Sequence, residues 1–108
     1  MARKINWAEV AWADLESVAD YIARDSPYYA ASFVREVLVA SRTLVTMAEH
    51  GRVVPEFNNQ NIHELFIRSY RMIYQVTKQT VYIIGFIHGS RDLRALWDRE
   101  ARRTLSNS

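Results

Sequence analysis

The chain has no cysteine, so neither a disulfide framework nor a thiolate metal site can be built from it. Glycine and proline are scarce, three and two in 108 residues, which leaves long stretches free for regular elements and no glycine-rich loop to cradle a phosphate. Lysine is almost missing as well: Lys4 and Lys78 are the two, and arginine supplies the rest of the 14 basic residues. No apolar run approaches the roughly 18 residues needed to span a bilayer. The opening "MARKINWAEV" carries positive charge without an apolar run behind it, so no secretory leader is expected and the cytoplasm is the expected location. The nucleophile elbow G-x-S-x-G, the zinc-protease pattern H-E-x-x-H and a paired-carboxylate signature are also missing.

What is present suits one globular domain over residues 1–108. Hydrophobic residues make up 49% and charged residues 24%, enough to fill a single core and too apolar for a disordered chain. The net charge of +2 is too mild to demonstrate nucleic-acid binding and suits an acidic protein partner equally well. The dominance of arginine favours two-point contacts with carboxylates or phosphates.

Apolar Ala11, Leu15, Val18 and Ile22 recur at spacings of four and three, predicting a helix from Ala8 to Asp25. Ser26 is a candidate N-cap and Pro27 suits the first position of a second helix, expected to run to about His50 with Gly51 as its C-cap. Its inward residues would be Phe33, Val34, Val37, Leu38, Leu44 and Val45. After the polar loop "EFNNQN" the period changes to two, predicting strands 62–67, 70–76 and 80–88 joined by the turns Arg68-Ser69 and Lys78-Gln79. "RKINW" reads as a further strand. The expected fold is α+β, ordered β-α-α-β-β-β, with an antiparallel sheet packed against a helical hairpin and a short C-terminal helix within residues 91–105.

Two-residue hairpin turns would set Glu64 opposite Ile73 and Arg71 opposite Phe86. One sheet face would then carry Leu65, Ile67, Tyr70, Met72, Tyr74, Val76, Val81, Ile83 and Ile87 as the core. The other would carry Glu64, Phe66, Arg71, Ile73, Gln75, Tyr82, Ile84, Phe86 and His88, with His88 diagonal to Arg71. A slip of one residue in either hairpin regroups both faces. Taken singly, His88 reads as a strand-end histidine bonded to backbone, and Ser90 as an N-cap with Asp92 near the helix dipole. The alternation sends His63 and His88 to opposite faces, which argues against a metal site. Trp7, Trp12 and Trp97 read as core or interface.

The segments "AWADLESVADYIARDSPYYAASFV", "HGRVVPEF", "IHELFIRSYRMIYQV" and "IIGFIHGSRDL" resemble, in that order, the RelE/ParE superfamily of type II toxin–antitoxin toxins, most closely its ParE-like branch. The resemblance runs from about Ile5 to Leu93. It implies the same β-α-α-β-β-β fold and neutralisation by a cognate antitoxin in a toxin–antitoxin hetero-oligomer; no cofactor, metal or membrane partner is expected. Phe66, Tyr82 and Phe86 are the candidate antitoxin contacts.

Two activities fit the resemblance. ParE-like members poison DNA gyrase by protein contact, without catalytic residues, and the "HG-x-RDL" ending seen here in "HGSRDL" belongs to them. On this leading reading the candidate gyrase contacts are Arg91, Arg94, Trp97, Arg99 and Arg102. RelE-like members are ribosome-dependent mRNA endonucleases. Their chemistry needs a base, a cation and an acid, and Glu56, Arg71 and His88 stand at the matching places. A third reading keeps the chain only as an inactive antitoxin-binding module.

Overall fold

The computed structural model describes residues 2–90. Its elements are β1 (Lys4–Trp7), α1 (Glu9–Ala23), α2 (Pro27–Thr43), β2 (Arg52–Val53), β3 (Ile62–Ile67), β4 (Tyr70–Val76) and β5 (Thr80–His88). They form the expected α+β fold, a five-stranded sheet in the order β1-β5-β4-β3-β2 with both helices on one face. The sheet is mixed, not purely antiparallel. A helical hairpin separates β1 from the rest of the sheet, and the chain returns to lay β1 parallel to β5, with Lys4 beside Thr80 and Trp7 beside Ile83.

Both helices follow their apolar spacing. Ala11 and Leu15 of α1 are buried, with Val18 and Ile22 packed against the same cluster, and α2 buries Ala30, Phe33 and Val37. Ser26 caps α2 by accepting from the Tyr29 N–H at 3.2 Å, and Pro27 occupies the first turn.

The second helix ends earlier than its apolar spacing suggests, at Thr43 instead of about His50. The Ser41 and Thr43 hydroxyls turn back onto the Leu38 and Ala40 carbonyls at 2.8 and 2.7 Å, competing with the backbone ladder. The Arg3 N–H then takes the Val45 carbonyl at 2.8 Å. Leu44 and Ala48 stay buried beyond the helix, so the inward pattern outlasts the helical bonds. Gly51 is accordingly not a C-cap. It immediately precedes β2, where a Cβ would lie 2.2 Å from the Glu64 carbonyl oxygen and 2.6 Å from the Tyr74 hydroxyl.

The β3–β4 register is as expected, Ile67 beside Tyr70 and Glu64 beside Ile73. The β4–β5 register starts as expected, with Val76 beside Val81, and then slips: Tyr74 pairs with Ile83 but Ile73 with Gly85, leaving Ile84 as the extra residue of a bulge. Arg71 therefore opposes Ile87, and Tyr70 opposes His88. Phe86 turns into the helix-side core while Ile87 joins Val54, Ile62 and Ile73 on the opposite face. Burial alone does not decide this choice, since Phe86 or Ile87 in that place would each contribute about 1.5–3 kcal/mol. The aromatic contacts do: Phe86 stacks on Tyr70 at 5.4 Å and meets Phe33 edge-on at 6.0 Å, and each such pair adds about 0.5–1.5 kcal/mol.

Candidate functional site

An ionic cluster lies on the sheet face away from the helices. The side chains of Glu64 and Arg71 are 0% and 5% exposed, so neither can stay charged there without a partner. Arg71 donates Nε to Glu64 Oε1 at 2.5 Å and Nη1 and Nη2 to the two oxygens of Glu56 at 2.8 and 2.9 Å. Arg52, reaching in from β2, donates Nε to the second oxygen of Glu64 at 2.6 Å and lays its guanidinium over the Phe66 ring. Two carboxylates and two guanidiniums thus neutralise one another. Among the described residues no buried side-chain nitrogen or oxygen lacks a partner.

The electrostatics follow from this pairing. Hydrogen bonding from Arg71 holds the Glu56 carboxyl below its ordinary value against the opposing effect of burial. The same contact, with Glu64 behind it, strengthens the hold of Arg71 on its proton. Glu56 is therefore an ionised but weakly basic carboxylate, and Arg71 has three of its nitrogens committed. A base that accepts a 2′-hydroxyl proton works better with higher basicity, and a cation that receives a phosphate needs donors not already given to carboxylates.

Of the three residues the endonuclease reading needs, the structure brings Glu56 and Arg71 together and leaves His88 behind the sheet. The bulge at Ile84 puts His88 directly across from Tyr70, whose ring it meets edge-on at 5.4 Å on the helix side. The expected diagonal contact between His88 and Arg71 is not formed. The Ser90 N–H donates to His88 Nδ1 at 3.2 Å, and the Ser90 hydroxyl oxygen lies 2.7 Å from the same nitrogen. His63 also lies on the helix side, stacked on Tyr74, contrary to the opposite-face expectation. Its ring nitrogens rest 3.2 Å from the Gly51 carbonyl oxygen and 3.1 Å from that of Gln60.

The surface residues divide in the same way. Phe66 and Tyr82 are exposed, 51% and 39%, whereas Phe86 is 2% exposed and cannot serve as an antitoxin contact in this fold. Arg91, Arg94, Trp97, Arg99, Arg102 and the expected C-terminal helix lie outside the described residues. Reading the sequence for chemistry missed a groove of about 580 Å³ between α1 and α2, lined by Ala19, Ala23, Ala30 and Ala31 and by the charged Asp20, Arg35 and Arg42. Tyr21, Tyr28 and Tyr29 stand exposed on the same two helices. Alanines at 19, 23, 30 and 31 were the available signal, because small side chains on facing helices leave a furrow.

The sequence matches, over residues 5–93, the family described as the ParE toxin of the type II toxin–antitoxin system parDE. No curated protein matches it in sequence. Among solved structures it is similar to a chain of the chromosomal ParDE toxin–antitoxin system from P. aeruginosa, with a TM-score of 0.66 and 19% identity over 81% of this chain and 96% of that one. It is also similar to a chain of the toxin–antitoxin complex RelBE2 from Mycobacterium tuberculosis, with a TM-score of 0.57 and 16% identity over 82% of this chain and 99% of that one. At these identities the structural likeness speaks for the fold, and the family match over residues 5–93 speaks for descent. The chain belongs to the ParE toxin family of type II toxin–antitoxin systems.

Proposed function

We propose that this ParE-family toxin acts in the cytoplasm by binding DNA gyrase and inhibiting growth, and that a cognate antitoxin neutralises it. The observation that carries this reading is that His88 meets Tyr70 on the helix side while Glu56 and Arg71 pair on the opposite face of the sheet. A protein that cleaves RNA needs base, cation and acid around one phosphate. Here the base and cation neutralise each other and the acid faces the helices. A toxin that works by contact needs none of these groups placed together.

The contact surface for gyrase is the segment Arg91–Arg103, with Arg91, Arg94, Arg99 and Arg102 as its candidate contacts and Trp97 as its aromatic anchor. For the antitoxin, the α1–α2 groove offers an apolar floor lined by Arg35 and Arg42 against the single carboxylate of Asp20, a net positive lining that suits an acidic amphipathic helix. Phe66, exposed on the sheet face away from the helices, is a separate candidate contact for the antitoxin. That these two similar structures come from toxin–antitoxin systems supports such a partner.

The test is gyrase supercoiling and DNA cleavage with the purified chain, run beside mRNA cleavage on translating ribosomes. Gyrase-dependent linear DNA with intact mRNA is the expected result. Cut mRNA with unaffected gyrase would replace this reading with the endonuclease. Inactivity in both assays, with normal growth on expression without antitoxin, would leave an antitoxin-binding module.

A further inference from the structure

On the sheet face that carries the ionic cluster, but toward the β1 edge, three side chains stand in register across three strands. Asn6 of β1 pairs with Tyr82 of β5, and Tyr82 pairs with Gln75 of β4. Val81 and Ile83 flank Tyr82 and are fully buried on the helix side, so the phenol ring points the other way. Ile5 and Trp7 pack toward that same core, which sends Asn6 to the face of Tyr82. The row borders an open hollow of about 560 Å³, lined by Asn6, Trp7, Ala8, Gln75, Tyr82 and Ile84. An exposed aromatic ring between two primary amides offers a flat apolar surface with donors and acceptors at both ends.

The charge at the Thr80 end of this row is basic, while Glu9 follows Ala8 at the other end. Lys4 precedes Asn6 by two residues on the same face and sits against Thr80. Lys78 occupies the β4–β5 turn, and Arg3 is tied to that turn by its Nε bond to the Thr77 carbonyl at 2.8 Å. Residues 2–8 and 75–84 together contain Arg3, Lys4 and Lys78 and no aspartate or glutamate. Both lysines of the chain therefore border this corner. An ammonium on a flexible stem serves as a movable point charge for phosphate, in contrast to the arginines locked into carboxylates farther along the sheet.

We propose that the Asn6–Tyr82–Gln75 row with Lys4 and Lys78 is a binding platform for single-stranded DNA. A base stacks on Tyr82, the two amides meet its edges, and the lysines follow the backbone phosphates. Stacking on an exposed aromatic beside a basic rim is how unpaired strands are held without sequence preference. The choice of DNA as the strand rests on the gyrase reading, since a gyrase poison works beside opened DNA. Binding itself does not depend on that reading and is measured without gyrase.

The experiment is fluorescence anisotropy of the full chain with a labelled 12-nucleotide oligothymidine, at several salt concentrations. Salt-dependent binding is expected, weakened about five-fold or more by Tyr82→Ala and retained by Tyr82→Phe. The double variant Lys4→Ala/Lys78→Ala is expected to lower the slope of log affinity against log salt by about 1.4, two single-strand phosphate contacts. Equal affinity for a duplex, tighter binding of oligouridine RNA, or unchanged affinity in folded Tyr82→Ala would overturn the proposal. If Tyr82→Ala binds the oligonucleotide normally and loses the antitoxin instead, the platform belongs to the antitoxin and the proposal falls. Failure to bind DNA alongside a positive gyrase assay would leave the gyrase reading standing without this site.

Discussion

Both terminal nitrogens of Arg71 meet both carboxylate oxygens of Glu56, at 2.8 and 2.9 Å, and this one pair ties the loop after β2 to the middle of the sheet. Behind it the buried carboxylate of Glu64 takes the remaining Nε. Removing Arg71 leaves Glu64 to Arg52 alone, whose side chain is 63% exposed. Arg71→Ala is therefore expected to cost about 3–5 kcal/mol, the range for breaking a buried pair. Urea unfolding monitored by circular dichroism measures it, and a loss under about 1 kcal/mol would show that the cluster does not hold the fold.

Glu56 makes the same contact pH-dependent. Its folded carboxyl ionises below the ordinary value of 4.5, chiefly because Arg71 donates to it. Its contribution is thus complete above about pH 4.5 and is lost as the pH falls through the lower, folded value. Hydrogen bonds to charged groups contribute about 1.5–3 kcal/mol, and partial exposure of Glu56 points to the lower end. Glu56→Gln should therefore lag the wild type in urea stability at pH 7 and approach it at pH 3. A difference that stays constant over that range would contradict the assignment.

Some of this was legible in the sequence, for reasons that particular residues show. Strands β3 and β4 are joined by the two-residue turn Arg68-Ser69 with no bulge between them, so their mutual register could be counted from that turn. The run "TVYIIGFI" is apolar on both faces, and alternation carries no information about a slip inside it. The bulge at Ile84 was invisible for that reason, and with it went the faces of Phe86, Ile87 and His88. Parallel pairing of β1 was equally hidden, because four residues fit either edge direction. The pairing of Glu56 with Arg71 depends on how an irregular loop folds back, which no periodicity encodes.

Gly51 provides a test of close backbone approach. Gly51→Ala would press a methyl group against the Glu64 carbonyl at 2.2 Å, and β2 must move to relieve it. A destabilisation of about 1–3 kcal/mol is expected, as for overpacking elsewhere, with a fall in Tm of about 4–8 °C per kcal/mol. Gly85 is the control, since its added Cβ would meet Ile73 at an ordinary 3.7 Å. Gly85→Ala should leave Tm unchanged or raise it, by about 0.5–1 kcal/mol of strand stability. Equal effects at the two positions would remove the close-approach explanation for Gly51.

The C-terminal segment carries the gyrase proposal, so truncation after Leu93 separates fold from activity. The core is assembled from residues 5–86, and the shortened chain should keep its circular dichroism spectrum and a cooperative melt. Growth inhibition and gyrase-dependent DNA cleavage should disappear. A truncated, folded chain that still poisons gyrase would move the contact surface elsewhere.

His88 decides between contact and catalysis most directly. Its ring meets Tyr70 and Ser90 and lies on the helix side, away from Glu56 and Arg71, so it has no geometric path to a phosphate held by that pair. His88→Ala removes one exposed edge contact, which costs about 0.5–1.5 kcal/mol at most. Toxicity on expression without antitoxin should therefore match the wild type once protein levels are equalised. Loss of toxicity in a folded His88→Ala chain, with loss of mRNA cleavage, would require His88 to act from its own face of the sheet. It would then follow that the Glu56–Arg71 pair holds the loop and takes no part in the chemistry, because one proton donor on the helix side and one cation on the opposite side cannot share a phosphate.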